Sequence, residues 1–311
     1  MENNESQLSL LKRFWIYQKE RFPLFGHGPL IAAFSFSALG YSRVCQGLDT
    51  FVAWPEYLGA FFISFTLFLM LRIFDEFKDN EDDLKYRTYL PVPRGLVSLK
   101  ELKVLGVFVV CSQIAVLSIW YPTLFPFYIA VFIYLILMGK EFFVAEWLKK
   151  KPILYMVSHM FIIPFIDIVA SSFDWSLNGV EAPFGLLFFF LVSYFNGMVI
   201  EIGRKIKTPE NEEPGVTSYS GEWGPKRAVW VWIGILTITL LSALSASYYA
   251  HAGILSYIIL IGLYVICLIP GFLFMNNMTK KGSKAIEIIS GVWTLLMYLI
   301  LGGGPMLANL F

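Results

Sequence analysis

Residues Arg72 to Gly95 read RIFDEFKDNEDDLKYRTYLPVPRG and follow directly on an apolar run from Tyr57 to Ile73. Six acids, Asp75, Glu76, Asp79, Glu81, Asp82 and Asp83, fall within nine positions. Asp75, Asp79 and Asp83 are four apart, so a helix continuing through them would stack three carboxylates on one face. Like charges at that spacing repel and need a compensating cation. Lys78, Lys85 and Arg87 supply part of it. A divalent ion would supply it better, because magnesium takes carboxylate oxygens and shares them with phosphate. The competing reading is a solvated acidic loop that helps fix topology.

The rest of the chain has the composition of a membrane protein. Of 311 residues, 57% are hydrophobic and 15% charged, where a soluble chain carries about a quarter charged residues. Apolar runs of the roughly 20 residues that cross a bilayer recur along the sequence. The expected fold is all-α: a polytopic bundle of nine transmembrane helices. The spans are expected near residues 29–47, 55–74, 101–120, 123–143, 153–171, 183–202, 228–247, 253–275 and 285–308. Ahead of them, residues 1–28 form an N-terminal segment. Leu8, Leu11, Trp15 and Phe22, set among Lys12, Arg13, Lys19 and Arg21, give it the pattern of a helix lying in the membrane interface. Residues 29–311 form the transmembrane domain.

Every Lys and Arg except Arg43 falls on one side of that topology. By the positive-inside rule this side is cytoplasmic, with the N-terminus inside. The expected location is a bacterial inner (plasma) membrane, with both long polar loops in the cytoplasm. A net charge of +1 argues against nucleic acid as a partner. Cys45, Cys111 and Cys267 are too scattered for a metal cage or a disulfide framework.

The second polar stretch, NGMVIEIGRKIKTPENEEPGVTSYSGEWG, starts at Asn196. Asn196 lies inside an apolar span, where an amide needs a partner. Glu201 sits one turn from Arg204 and Lys205, an arrangement offering one metal ligand and two cations for phosphate oxygens. A helix–helix hydrogen bond for Asn196 and a charged juxtamembrane loop explain the same residues. Two such loops on one side make a stronger case together. Facing acid clusters at a bundle mouth would hold metal, and the metal would neutralise a departing diphosphate. His159 in span five is a candidate proton carrier or a helix–helix hydrogen bond. Asp167 reads as interfacial, near the outer end of that span.

The acidic stretch, followed by Arg87-Thr88 and Pro91-Val92-Pro93-Arg94-Gly95, resembles the aspartate-rich motif of the UbiA superfamily of intramembrane prenyltransferases. The resemblance implies a nine-helix bundle with a central cavity open sideways to lipid. It implies Mg2+, held by both motifs, and a polyprenyl diphosphate that is ionised and passed to a lipid-soluble acceptor. On this basis Asp75, Asp79 and Glu201 are the catalytic candidates. Asp75, Asp79, Asp83, Asn196 and Glu201 are the metal candidates. Arg72, Lys78, Arg87, Arg94, Lys140, Arg204 and Lys205 are the diphosphate candidates. Two positions depart from the family pattern. Leu71 replaces the usual asparagine, and Lys205, which cannot bind magnesium, replaces an aspartate. The departures leave room for the superfamily's terpene cyclases, which close a prenyl diphosphate on itself. A cation-coupled transporter is the alternative of another class, and it would carry acids near the bilayer midplane on broken helices.

Overall fold

The computed structural model describes residues 8–213 and 215–308. Among them every regular element is helical. Helix α1, Leu10–Arg21, meets α2, Leu24–Cys45, at a bend of 63°. Then come α3, Trp54–Lys78, the short α4, Asn80–Tyr86, α5, Leu99–Trp120, and α6, Phe125–Gly139. Next are α7, Ala145–Lys149, α8, Pro152–Met160, α9, Ile162–Trp175, and α10, Leu186–Arg204. The chain closes with α11, Tyr219–Trp223, α12, Pro225–Tyr249, α13, Ile254–Asn276, α14, Lys280–Tyr298, a π-helical turn at Leu299–Gly303, and α15, Gly304–Ala308. Eight of these helices, counting α8 with α9, are long and apolar enough to cross a membrane, and the bent α1–α2 pair makes nine. The first crossing helix starts at Leu24, not near residue 29, because Pro29 sits inside the opening turns of α2 without ending it.

Local chemistry sets several of the helix ends. Pro55 opens α3 at a position where its missing N–H costs nothing. Ser98 and Glu101 form a reciprocal capping box at the start of α5, with Ser98 N donating to Glu101 Oε2 at 2.8 Å. The fifth span is broken at Phe161. Pro164 removes the N–H that would bond the Met160 carbonyl, so α8 and α9 are separate helices.

The interior is packed around α10, which lies against α2, α8, α9, α12 and α14. Interhelical hydrogen bonds run through it. The Tyr41 hydroxyl donates to the Ala246 carbonyl at 2.8 Å, and Tyr128 donates to Gln113 at 2.8 Å, which in turn donates to Thr66 at 2.9 Å. The closest helix approach lies between α2 and the π turn. A Cβ on Gly302 would overlap the Ser37 carbonyl, and one on Gly40 would reach within 2.6 Å of the Gly302 oxygen. Backbone cannot yield as a flexible side chain can. Gly302→Ala is therefore expected to destabilise the protein by about 2 kcal/mol, seen as a lower unfolding midpoint in detergent. An unchanged midpoint would show that the two segments separate freely.

Asp167 differs from its sequence reading. It is 0% exposed inside the bundle, beside Ser193 and Tyr298, rather than interfacial. Helix α9 continues to Trp175, beyond the expected end of that span, and this draws Asp167 inward.

Candidate active site

Helix α3 ends at Lys78, and Asp79 both caps it and precedes α4. That break decides which acids face the site. Asp75 and Asp79 line a cavity of about 350 Å³ at the end of the bundle, with side chains 36% and 37% exposed. Asp82 lines it too. Glu76 and Asp83 turn away from it. Glu76 is 1% exposed and takes hydrogen bonds from Arg21 at 2.6 Å and from Arg72 at 3.0 Å. Asp83 is buried and pairs with Arg87 at 2.6 Å and with Arg21 at 4.0 Å. The three carboxylates spaced four apart therefore do not share one face.

The opposite wall comes from the end of α10 and the loop after it. Arg204, Lys205, Gly215, Val216, Thr217 and Tyr219 line it. Glu201 lies behind its own cations: Arg204 Nε donates to it at 2.7 Å and Lys205 Nζ is 2.8 Å away. The sequence suggested two acid clusters facing each other. The cavity instead has an acidic wall and a basic one.

Beside the aspartates, though not itself lining the cavity, Lys78 Nζ donates to the Tyr155 hydroxyl at 2.7 Å and lies 3.5 Å from Asp75 and 3.9 Å from Asp79. Arg72 approaches Asp75 at 3.8 Å, and Arg72 and Arg87 line the cavity. Burial pushes the Asp79 carboxyl above its ordinary range, Lys78 opposes the shift and Asp75 adds to it. His159 sits behind Tyr155, the two rings stacked at 3.9 Å, with Nδ1 2.8 Å from the Tyr155 carbonyl oxygen.

Besides Asp83 and Glu201, three expected residues lie farther off. Asn196 is fully buried in the bundle beside Tyr298. Arg94 binds Glu20 at 2.7 Å and the Tyr89 carbonyl at 2.7 Å. Lys140 borders an apolar groove on the outside of the bundle. Lining residues that were not singled out from sequence as site residues include Arg21, Glu141, Lys149, Tyr155 and Tyr219. Tyr155 stands one turn before His159 and just after Lys149-Lys150-Lys151-Pro152, a weak signal. Arg21 gave none, being one of several cations in an amphipathic helix.

Among the described residues no three His, Cys, Asp or Glu side chains are grouped closely enough to hold a metal on protein ligands alone. Asp75 and Asp79 nonetheless offer two accessible carboxylates at one cavity. Magnesium commonly binds one or two carboxylates and completes its shell with water and substrate phosphate. This donor set fits Mg2+ arriving with a diphosphate, not a closed protein cage.

No protein-family model and no curated protein sequence matches the chain. Two solved structures share its fold. One is from work on a digeranylgeranylglyceryl phosphate synthase in membranes, 14% identical, aligned over 95% of this chain and 99% of the other with a TM-score of 0.63. The second is a UbiA homolog from Aeropyrum pernix K1 in its apo form, 12% identical, aligned over 91% and 98% with a TM-score of 0.61. In the course of its helices from end to end, this protein shares the fold of that UbiA homolog and of the synthase structure.

Proposed function

We propose that the protein is a Mg2+-dependent intramembrane prenyltransferase, which ionises a polyprenyl diphosphate and transfers the prenyl group to a lipid-soluble acceptor. The observation that carries this reading is the cavity with Asp75 and Asp79 on one wall and Arg204 and Lys205 on the other. Mg2+ held by the two aspartates would supply Lewis-acid neutralisation of the leaving group. The protein's own cations do the rest. Arg204, Lys205 and Arg87 hold diphosphate oxygens, where charge grows as the carbon–oxygen bond breaks and its electron pair leaves with the diphosphate. Tyr155, held by Lys78, lines the same cavity. The acceptor forms the new bond and gives up its proton. Apolar helices around the site keep out the water that would quench the cation.

The Lys and Arg distribution supports a cytoplasmic cavity and an internal N-terminus. Leu11 and Trp15 of α1 are exposed while Tyr17 packs inward, which suits an interfacial segment before the spans.

The test is incubation of the purified protein with prenyl diphosphates and Mg2+, with and without a lipid extract as acceptor source. Diphosphate release with a prenylated lipid product is expected. A cyclic hydrocarbon or alcohol formed without acceptor would identify the terpene-cyclase reading, for which Lys205 in place of an acidic residue leaves room. Cation flux in proteoliposomes without diphosphate release would identify a transporter and end the enzymatic reading.

A pH dependence follows from Asp79. Mg2+ requires the ionised carboxylate, so the acid limb of diphosphate release should lie above the roughly pH 3.9 of an ordinary aspartate. Lys78 pulls the Asp79 pKa down. Its removal in Lys78→Gln is expected to move that limb to higher pH. A limb that stays put or moves to lower pH would separate Asp79 from the rate.

A further inference from the structure

From the outer face of the bundle we infer that it carries a specific binding site for an anionic phospholipid, distinct from the polar cavity. A groove of about 560 Å³ runs between α3, α5 and α6. Phe74, Phe77, Val107, Val110 and Phe132 make it apolar, and Lys103 and Lys140 stand at its end nearest the polar cavity. Both lysines are exposed, and no salt bridge among the described residues engages either. From Lys103 to Cys111 the groove follows α5 for about 12 Å, room for the upper part of an acyl chain. An apolar channel with two uncompensated ammonium groups at one end matches one ligand chemistry, a hydrocarbon chain under an anionic headgroup. A zwitterionic headgroup, whose phosphate is already balanced by its own cation, would leave net positive charge unmatched there.

Small residues make the groove. Gly139 cannot carry a side chain, since a Cβ there would overlap the Phe74 ring. A Cβ on Gly106 would instead fit at ordinary contact distance, 3.7 Å from Ile73 and Met70, so a longer side chain there would extend into the groove that Gly106 lines. The bound chain would pack on the back of the helix end that carries the acid motif. Asp75 faces the polar cavity while its neighbours Phe74 and Phe77 face the lipid. The phospholipid would thereby brace the end of α3 from outside.

Native mass spectrometry on full-length protein, from nanodiscs of equimolar phosphatidylglycerol and phosphatidylcholine, tests this. The parent protein is expected to retain phosphatidylglycerol selectively. Each lysine near the headgroup adds about fivefold, so Lys103→Gln with Lys140→Gln should cut the selectivity about 30-fold. Gly106→Leu should fill the groove and displace the lipid with both lysines present. Lys280→Gln with Lys281→Gln, at the same end of the bundle, should leave retention unchanged. Equal retention in parent and lysine variant overturns the site, as does selective retention of phosphatidylcholine or of an isoprenoid lipid. The readout is binding alone, so it stands apart from the enzymatic reading.

Discussion

Replacing Asp75 and Asp79 together by asparagine is expected to lower diphosphate release by about 10³-fold, with the fold retained. Both side chains are more than a third exposed, so the amides would remain partly hydrated. Neither aspartate holds the bundle together as Glu76 and Asp83 do. The loss therefore reports on chemistry, and an unchanged unfolding midpoint separates it from misfolding. The same exchange at Glu76 and Asp83 should show the opposite pattern, lower stability and a smaller direct effect on turnover. Full activity in the Asp75, Asp79 variant would remove the acidic wall from the mechanism.

Arg21→Met is expected to destabilise the protein by about 3 kcal/mol, at the low end of what losing one partner of a buried ion pair costs. The Arg21 guanidinium serves two buried acids, Glu76 at 2.6 Å and Asp83 at 4.0 Å. Arg72 and Arg87 remain to hold each of them in part, which keeps the cost from rising further. Methionine preserves much of the apolar stem, so the measured loss is mainly electrostatic. Adding Glu76→Gln removes the stranded charge and should recover part of the stability. If the single variant melts with the parent, α1 is a passive appendage. Because Arg21 also lines the polar cavity, substrate affinity should fall as well.

The spans were legible in the sequence because hydropathy alone dictates them. Each expected segment has its helix, including the one broken at Phe161. The two polar loops were legible as a pair, since they leave alternate spans on the same side. Which acids face the site was not legible. Asp75 and Glu76 are neighbours, yet one faces the cavity and the other a pair of arginines. On a helix, adjacent side chains diverge by about 100°, and only the packing of α3 settles the direction. The spacing of Asp75, Asp79 and Asp83 misled for a related reason, because the helix stops between the first and the last of them. At Glu201 the residue type was informative but its surroundings were not. Arg204 and Lys205 cover it, so the cations, not the acid, meet the cavity.

Helix α1 is fastened by partners that all lie later in the chain. Arg13 binds Glu101 and the Leu96 carbonyl, Glu20 binds Arg94, and Arg21 binds Glu76 and Asp83. A ribosome delivers this helix before any of its anchors. During biogenesis it must wait unattached at the membrane surface until the third span has begun to emerge. Its docking thus becomes possible only after the second span has emerged, and the cavity gains its Arg21 wall no earlier.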